Sequence, residues 1–468
     1  MPHIRPFHPF ASLAAVAFLA SVTACQTAPP DSYRPSEDFS LIKGVWASEG
    51  YGWVADIGAD QFRLYDRIGD FCASGEDDAG ALEDLNSPYD LRNDGEAFRL
   101  IFDDPAYKYT FDRLDALPVA CGAEHPAGPR DVFAVFDALF RTHYGFFDTR
   151  HVDWDALSAA ARARIDDSMS DEALFGVLSE TVAAVDDGHV SLIGVVDGER
   201  ERGRSGQGKT NQRLTELALE RGVEPRSYIN EWREAYKVEV AETLLQGQGV
   251  TTGAGWIRYG MIGDDVGYLG FMTMTGYAET DEEDSHEIIE AVMDDAMARF
   301  KDARAVIVDL SLNHGGEDTI GRRIARRFAS EKTLAYSKFA ADAPGAEPQA
   351  AYLRPTDDMA RFLGPVYLVT SDHTVSAGEI LTLSLRALPN VTHVGEATRG
   401  ALSDILSKPL PNGWTLNLSN EIYLDADGRH WEGVGIPPEI AIAVFSQDDP
   451  FTGHVEAISK VVALARED

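Results

Sequence analysis

VYLVTSDHTVSAGEILTL, residues 366–383, is the stretch whose reading decides the fold. Val366, Tyr367, Leu368 and Val369 form an apolar run with the length and the β-branched and aromatic content of a buried strand, and polar residues end it at Thr370–Thr374. The spacing then becomes helical: Ala377, Ile380, Leu381, Leu385 and Leu388 recur at steps of three and four, which predicts one helix with a buried face. Ser376-Ala377-Gly378-Glu379 therefore falls where strand turns into helix, beside free backbone N–H groups and the positive end of the helix dipole. Serine is also among the commonest helix N-caps, so Ser376 alone implies no chemistry.

Working outward from that turn, the chain from Val266 onward alternates strand and helix, the pattern of an α/β fold with a parallel or mixed sheet and crossover helices. Gly267–Phe271 reads as a strand, Ile288 to Phe300 as a helix face, and Ala305–Leu310 as a strand buried on both sides. Asn313-His314-Gly315-Gly316 follows, and its two glycines let backbone N–H groups come close to a bound group. Upstream, helical spacing recurs from Val132 to Tyr144, after Asp153 and after Ser170, and the third helix is predicted to stop at Asp186-Asp187-Gly188, just before His189. Short alternating strands with turn signals from Phe39 to Leu117 predict a small antiparallel sheet or barrel. Residues 195–260 read as a polar insert with a basic loop at Arg200–Lys209, helical patches from Gln212 to Glu242, and no clear PDZ-like peptide-binding sheet.

Composition narrows the function classes. The 468 residues give length for two or three units, and 41 basic against 77 acidic residues leave a net charge of −36. Such a surface repels nucleic acid and anionic lipid, so neither is an expected partner. Residues 1–24 resemble a bacterial lipoprotein signal: Arg5 is followed by a short apolar run from Phe10 to Val22 and then Val22-Thr23-Ala24-Cys25. Lipidation at Cys25 after cleavage would place the protein at the periplasmic face of a bacterial envelope membrane, attached only through that anchor; a plain secretory signal is the alternative. Cys72 and Cys121 are then the remaining pair, available for one disulfide or present as two buried thiols. No Cys/His ligand spacing appears, so no metal and no cofactor is expected.

In order along the chain, Asp187-Gly188-His189, Asp309-Leu310 with Asn313-His314-Gly315-Gly316, Thr374-Val375-Ser376-Ala377-Gly378-Glu379, Gly395–Gly400 and Trp431–Pro438 together resemble the S41 serine peptidases. That family includes tail-specific or C-terminal processing proteases, tricorn protease and interphotoreceptor retinoid-binding proteins. The resemblance implies a mixed-sheet core of the ClpP/crotonase type with multidomain α+β organisation. The expected division is 25–36 tether, 37–120 small β-rich domain, 128–194 helical subdomain carrying His189, 195–260 insert, 261–445 catalytic domain and 446–468 C-terminal helix. In the branch that uses a Ser-Lys dyad, lysine follows Thr-x-Gly; here Thr398-Arg399-Gly400 is followed by Ala401, and Lys408 reads as a surface residue. The chain is closer to the tricorn and retinoid-binding branch, although Gly188 replaces the serine that precedes the histidine in tricorn and Asp309-Leu310-Ser311 replaces Asp-Leu-Arg.

What the resemblance implies for chemistry is Ser376 as nucleophile, His189 as its base, Glu432 as the acid that orients the imidazole, and an oxyanion hole from the N–H groups of Ala377 and of Gly315 or Gly316. Glu379 and Glu396 are alternative acids, and His314 and His373 are rival bases. A polypeptide is the expected substrate, with assembly into an oligomer left open. Two other readings use the same residues: a binding protein for a hydrophobic ligand, and a hydrolase of esters.

Overall fold

The computed structural model describes residues 39–75, 79–81, 89–92, 95–102, 107–280 and 283–467. The signal, the tether and Cys25 lie outside the described residues.

At the centre is a seven-stranded mixed sheet in the order Val250–Thr252, Ile257–Ile262, Val266–Phe271, Ala305–Asp309, Val366–Thr370, Val391–Gly395 and Ile440–Ala441. The first three strands pair antiparallel and the others parallel. Every residue of Val266–Phe271, Ala305–Asp309 and Val366–Thr370 is buried, as the unbroken apolar runs require of strands covered on both faces. On one face lie the helices Ser285–Phe300, Asp318–Ala325 and Ala377–Arg386; on the other lie Lys209–Glu220, Pro225–Val238 and His454–Glu467. Asp309 stands in register with Val369, so the loops leaving these two parallel strands emerge side by side.

The helix Ala377–Arg386 differs from its amphipathic expectation, because residues 377–385 are all buried. Both Asp318–Ala325 and the strand Thr333–Ala340 pack against it, which leaves no solvent face. Its polar residues are satisfied internally: Thr382 and Ser384 donate their hydroxyls to the carbonyls of Gly378 and Ile380, each at 2.8 Å.

The insert is no linker. Arg200–Arg204, expected within a loop, lies in the strand Glu199–Arg204, paired with Ser191–Val196. That hairpin extends a four-stranded sheet through Thr415–Ser419 and Ile405–Pro409, so its partners lie more than 200 positions away. The central sheet also begins at Val250, before the expected boundary at 261. The third helix of the helical region ends at Ala183, and Asp186, not Gly188, takes the left-handed turn (φ 54°), a conformation aspartate tolerates.

Strands between Gly44 and Leu114 form a separate antiparallel sheet, and Cys72 is joined to Cys121 in a disulfide. The sheet docks on the core through charge. Lys408, expected at the surface, is 1% exposed at its side chain and pairs with the buried Asp66. Tyr51 donates its hydroxyl to Glu421 at 2.5 Å and its N–H to Asp342 Oδ1 at 3.2 Å. Lys408→Ala leaves the Asp66 carboxylate buried without a counter-ion, which we expect to lower stability by about 3–5 kcal/mol. Chemical denaturation of the two proteins checks this, and an unchanged midpoint contradicts it.

Candidate active site

Ser376 is held in a conformation that non-glycine residues rarely adopt, with φ 58° and ψ −130°. Strain of this kind is worth about 1–3 kcal/mol and persists only when neighbours enforce it. Here the neighbours are identifiable. The Ser376 N–H donates to the Ala401 carbonyl at 3.0 Å, and Val375 N–H donates to the Asn313 carbonyl at 3.1 Å. The buried carboxylate of Glu379 accepts from Thr398 Oγ1 (2.6 Å), Gly400 N–H (2.7 Å), Ala401 N–H (2.8 Å) and, more weakly, Ser376 N–H (3.3 Å). Burial pushes this carboxyl upward, and the four donors offset that. Glu379 thus fastens the loop at 398–401 to the serine turn. The Ser376 hydroxyl makes no side-chain hydrogen bond among the described residues.

The glycine loop lies directly against this turn. A Cβ on Gly315 (φ 85°) would fall 2.6 Å from Ser376 Cβ and 3.2 Å from its Oγ, so only glycine fits. The Gly315 N–H donates to Asn313 Oδ1 at 2.9 Å and its carbonyl accepts from Met274 N–H and Thr273 Oγ1. Of the expected oxyanion donors, Gly315 is therefore engaged, while the N–H groups of Gly316 and Ala377 have no partner among the described residues.

Beneath this loop is a group that sequence reasoning passed over. Asp309 Oδ2 accepts from Tyr268 (2.7 Å), Tyr236 (3.1 Å) and His454 Nε2 (2.7 Å), and Oδ1 accepts from Ser311 N–H (2.9 Å). Burial opposes the charge, yet His454 and the Ser311 donor hold the carboxyl at about 2.

His189 arrives from the helical region. Gly188 packs on Ala401, where a Cβ would stand 3.7 Å from the alanine Cβ, so the residue before His189 adjoins the residue whose carbonyl holds Ser376. Asp187 accepts from His189 N–H (3.0 Å) and from the Tyr144 hydroxyl (3.0 Å). The imidazole makes no hydrogen bond to Ser376 or Glu432, and its buried Nδ1 has no partner among the described residues. Burial holds its pKa below the ordinary 6.5, against the opposing pull of Asp187 and Asp404.

Glu432 lies elsewhere than its expected contact. Its Oε1 accepts from Arg150 at 2.7 Å and its Oε2 from the N–H groups of Leu402 (2.7 Å) and Ser403 (3.1 Å). Arg150 also reaches Asp187 (3.2 Å) and the carbonyls of Asp186 and Gly400, linking Glu432 to the histidine turn through one guanidinium. Burial and the neighbouring Asp187 push the Glu432 carboxyl up to about 8. Arg150 belongs to no pattern in the sequence, and only the folded chain brings it here. Glu396 accepts from Val444 N–H at 3.4 Å and lies outside this network. The nearby lysines are occupied: Lys408 by Asp66, and Lys338 by Asp404 and Glu421.

Gly315→Ala is expected to displace Ser376 and lower activity by at least about 10²-fold while the far-ultraviolet circular dichroism stays native. Unaltered turnover in that variant would show that the contact is unimportant.

Residues 265–442 match the sequence profile of Peptidase family S41. Carboxy-terminal processing protease CtpA of Bacillus subtilis (strain 168) is 24% identical over 176 residues, which is 37% of this chain and 34% of that one. The alignment thus spans about a third of the length of this curated relative. A candidate peptidase from Parabacteroides merdae ATCC 43184, known as a crystal structure, is 26% identical, with 73% of this chain and 97% of that chain covered and a TM-score of 0.57. Mature CPAF complexed with lactacystin aligns over 73% of this chain and 99% of that chain at a TM-score of 0.52, with 12% identity, a likeness of fold alone. Residues 265–442 thus carry a domain of peptidase family S41, the serine peptidase family that the serine turn and glycine loop resemble.

Proposed function

We propose that this protein is an exported serine peptidase that cleaves peptide bonds through an acyl-enzyme on Ser376. The observation that carries the reading is the strained Ser376, whose hydroxyl, like the N–H groups of Gly316 and Ala377, has no partner among the described residues. A helix cap needs no such strain, and a hydrophobic-ligand carrier has no use for it; a nucleophile at a strand-to-helix turn uses both.

His189 is the base of this proposal. The burial that depresses its pKa keeps the imidazole neutral near pH 7, able to take the Ser376 proton as Oγ attacks the carbonyl carbon. The tetrahedral oxyanion lies between the N–H groups of Ala377 and Gly316. His189 then gives the proton to the leaving amine as the C–N bond breaks, and water releases the acyl group by the same steps in reverse roles. Glu432 is a positioning residue: it holds Leu402 and Ser403 in place and, through Arg150, the Asp187 turn that carries His189. His314 and His373 are weaker bases: desolvation and neighbouring positive charge push His314 down to about 4 and hold His373 well below its ordinary value.

Peptide hydrolysis followed by mass spectrometry tests this. Ser376→Ala and His189→Ala are each expected to lower kcat by at least about 10³-fold. Because the histidine must be neutral to act and its pKa is depressed, kcat/KM of the wild type should hold level through pH 6.5 and fall only below it. Full activity in either variant, or an acid limb centred above pH 6.5, contradicts the assignment.

Export rests on residues 1–25. Among the described residues no helix is long and apolar enough to cross a membrane. Metabolic labelling with an alkyne fatty acid should mark the wild type and not Cys25→Ala; equal labelling, or none, removes the lipid anchor from the proposal.

A further inference from the structure

A turn of the first sheet, Gly50-Tyr51-Gly52, is pressed into the core, and all three residues stand in the left-handed region (φ 78°, 64° and 67°). Neither glycine has room for a side chain. A Cβ on Gly50 would lie 2.8 Å from Ala340 Cβ, and one on Gly52 would lie 2.8 Å from the Arg67 carbonyl oxygen and 3.0 Å from the His143 ring. A tyrosine in this conformation is strained and persists only where its surroundings enforce it. Here the Tyr51 ring stacks on Trp53 at 4.7 Å and meets Tyr109 edge-on at 5.0 Å, while its N–H donates to Asp342 Oδ1 at 3.2 Å. The hydroxyl is thereby aimed at Glu421 Oε1, 2.5 Å away and 370 positions along the chain.

Glu421 leads straight to the segment that carries the site. Its Oε2 accepts from the Lys338 ammonium at 2.6 Å, which also donates to Asp404 Oδ2 at 2.8 Å, and its backbone N–H donates to Ser403 Oγ at 2.8 Å. One residue thus fixes positions 403 and 404 together. At the other end of the same segment, the Ala401 carbonyl holds the Ser376 N–H. Between them, the N–H groups of Leu402 and Ser403 hold Glu432, which Arg150 joins to the Asp187 turn before His189. Lys338, Ser403, Glu421 and Glu432 are all buried, where linked hydrogen bonds strengthen one another and a missing partner is costly.

We propose that Tyr51 is a positioning residue supplied to the active site by the first sheet: through Glu421 and residues 401–404, its hydroxyl keeps the serine and histidine turns in reacting geometry, so that catalysis depends on the sheet being docked. Tyr51 lies outside residues 265–442, which match the family profile, so this coupling is added to the peptidase domain by another part of the chain. Its kinetic consequence rests on the peptidase reading; the mechanical link does not.

Tyr51→Phe keeps the ring and removes the hydroxyl, and two measurements on the full chain test the variant. Hydrogen exchange read by mass spectrometry needs no activity: with native circular dichroism, peptides spanning 398–404 should exchange at least about threefold faster than in the wild type. Fluorophosphonate labelling of Ser376 and peptide hydrolysis read the reacting geometry: the labelling rate and kcat should each fall about 3- to 30-fold while KM changes less than about twofold. A hydroxyl that only adds stability would lower the denaturation midpoint and, well below that midpoint, leave exchange at 398–404, labelling and kcat unaltered. That result overturns the proposal, as does faster exchange with undiminished labelling and kcat. Faster exchange at 398–404 in a protein whose wild type neither labels nor cleaves supports the link and refutes the peptidase.

Discussion

The Glu379 carboxylate, with four donors converging on it, is the constraint on which the site depends. It sits in the first turn of a wholly buried helix and binds the loop at 398–401 to the serine turn. That loop in turn supplies the Ala401 carbonyl that fixes Ser376, the Ala401 side chain on which Gly188 rests, and the Gly400 carbonyl that Arg150 holds. Removing the carboxylate would leave buried N–H groups unpaired, each a loss of about 1–3 kcal/mol, in the place where strain is stored. In the sequence Glu379 was a candidate acid; its geometry makes it the clamp that keeps the nucleophile turn closed.

A second layer of charge keeps the remaining parts in place. Asp309 ties the glycine loop to the helices Pro225–Val238 and His454–Glu467, and Glu432 with Arg150 ties the histidine turn to residues 402–403. These are buried groups with nearly complete hydrogen bonding, the condition under which polar networks rigidify a fold. In a chain with a net charge of −36, the first sheet is docked by the buried ion pair of Lys408 with Asp66 and by the Tyr51 hydroxyl on Glu421.

What was legible in the sequence was whatever depends on local period and local turn chemistry. The apolar run before Ser376, the three- and four-residue spacing after it, and the glycine pair after a buried strand announced the core, because sheet strands covered on both faces and helix caps leave local marks. The caps at Asp153 and Ser170 accept hydrogen bonds from Ala156 and Ala173, as their types predict. Illegible were contacts made across long separations. The strand Glu199–Arg204 is charged and looks like a loop until Ser191–Val196 pairs with it. Lys408 looks exposed until Asp66, 342 positions away, arrives beside it. Arg150 is a single arginine in a loop, and nothing around it in the chain marks it as the guanidinium that joins Glu432 to Asp187.

The account stands on Ser376 being an activated nucleophile. Reacting the intact protein with a fluorophosphonate and mapping the adduct by tryptic mass spectrometry tests that most directly. We expect one adduct, on Ser376, abolished in Ser376→Ala and strongly slowed in His189→Ala. A folded wild-type protein that takes up no label, or takes it up on another serine, would contradict the account.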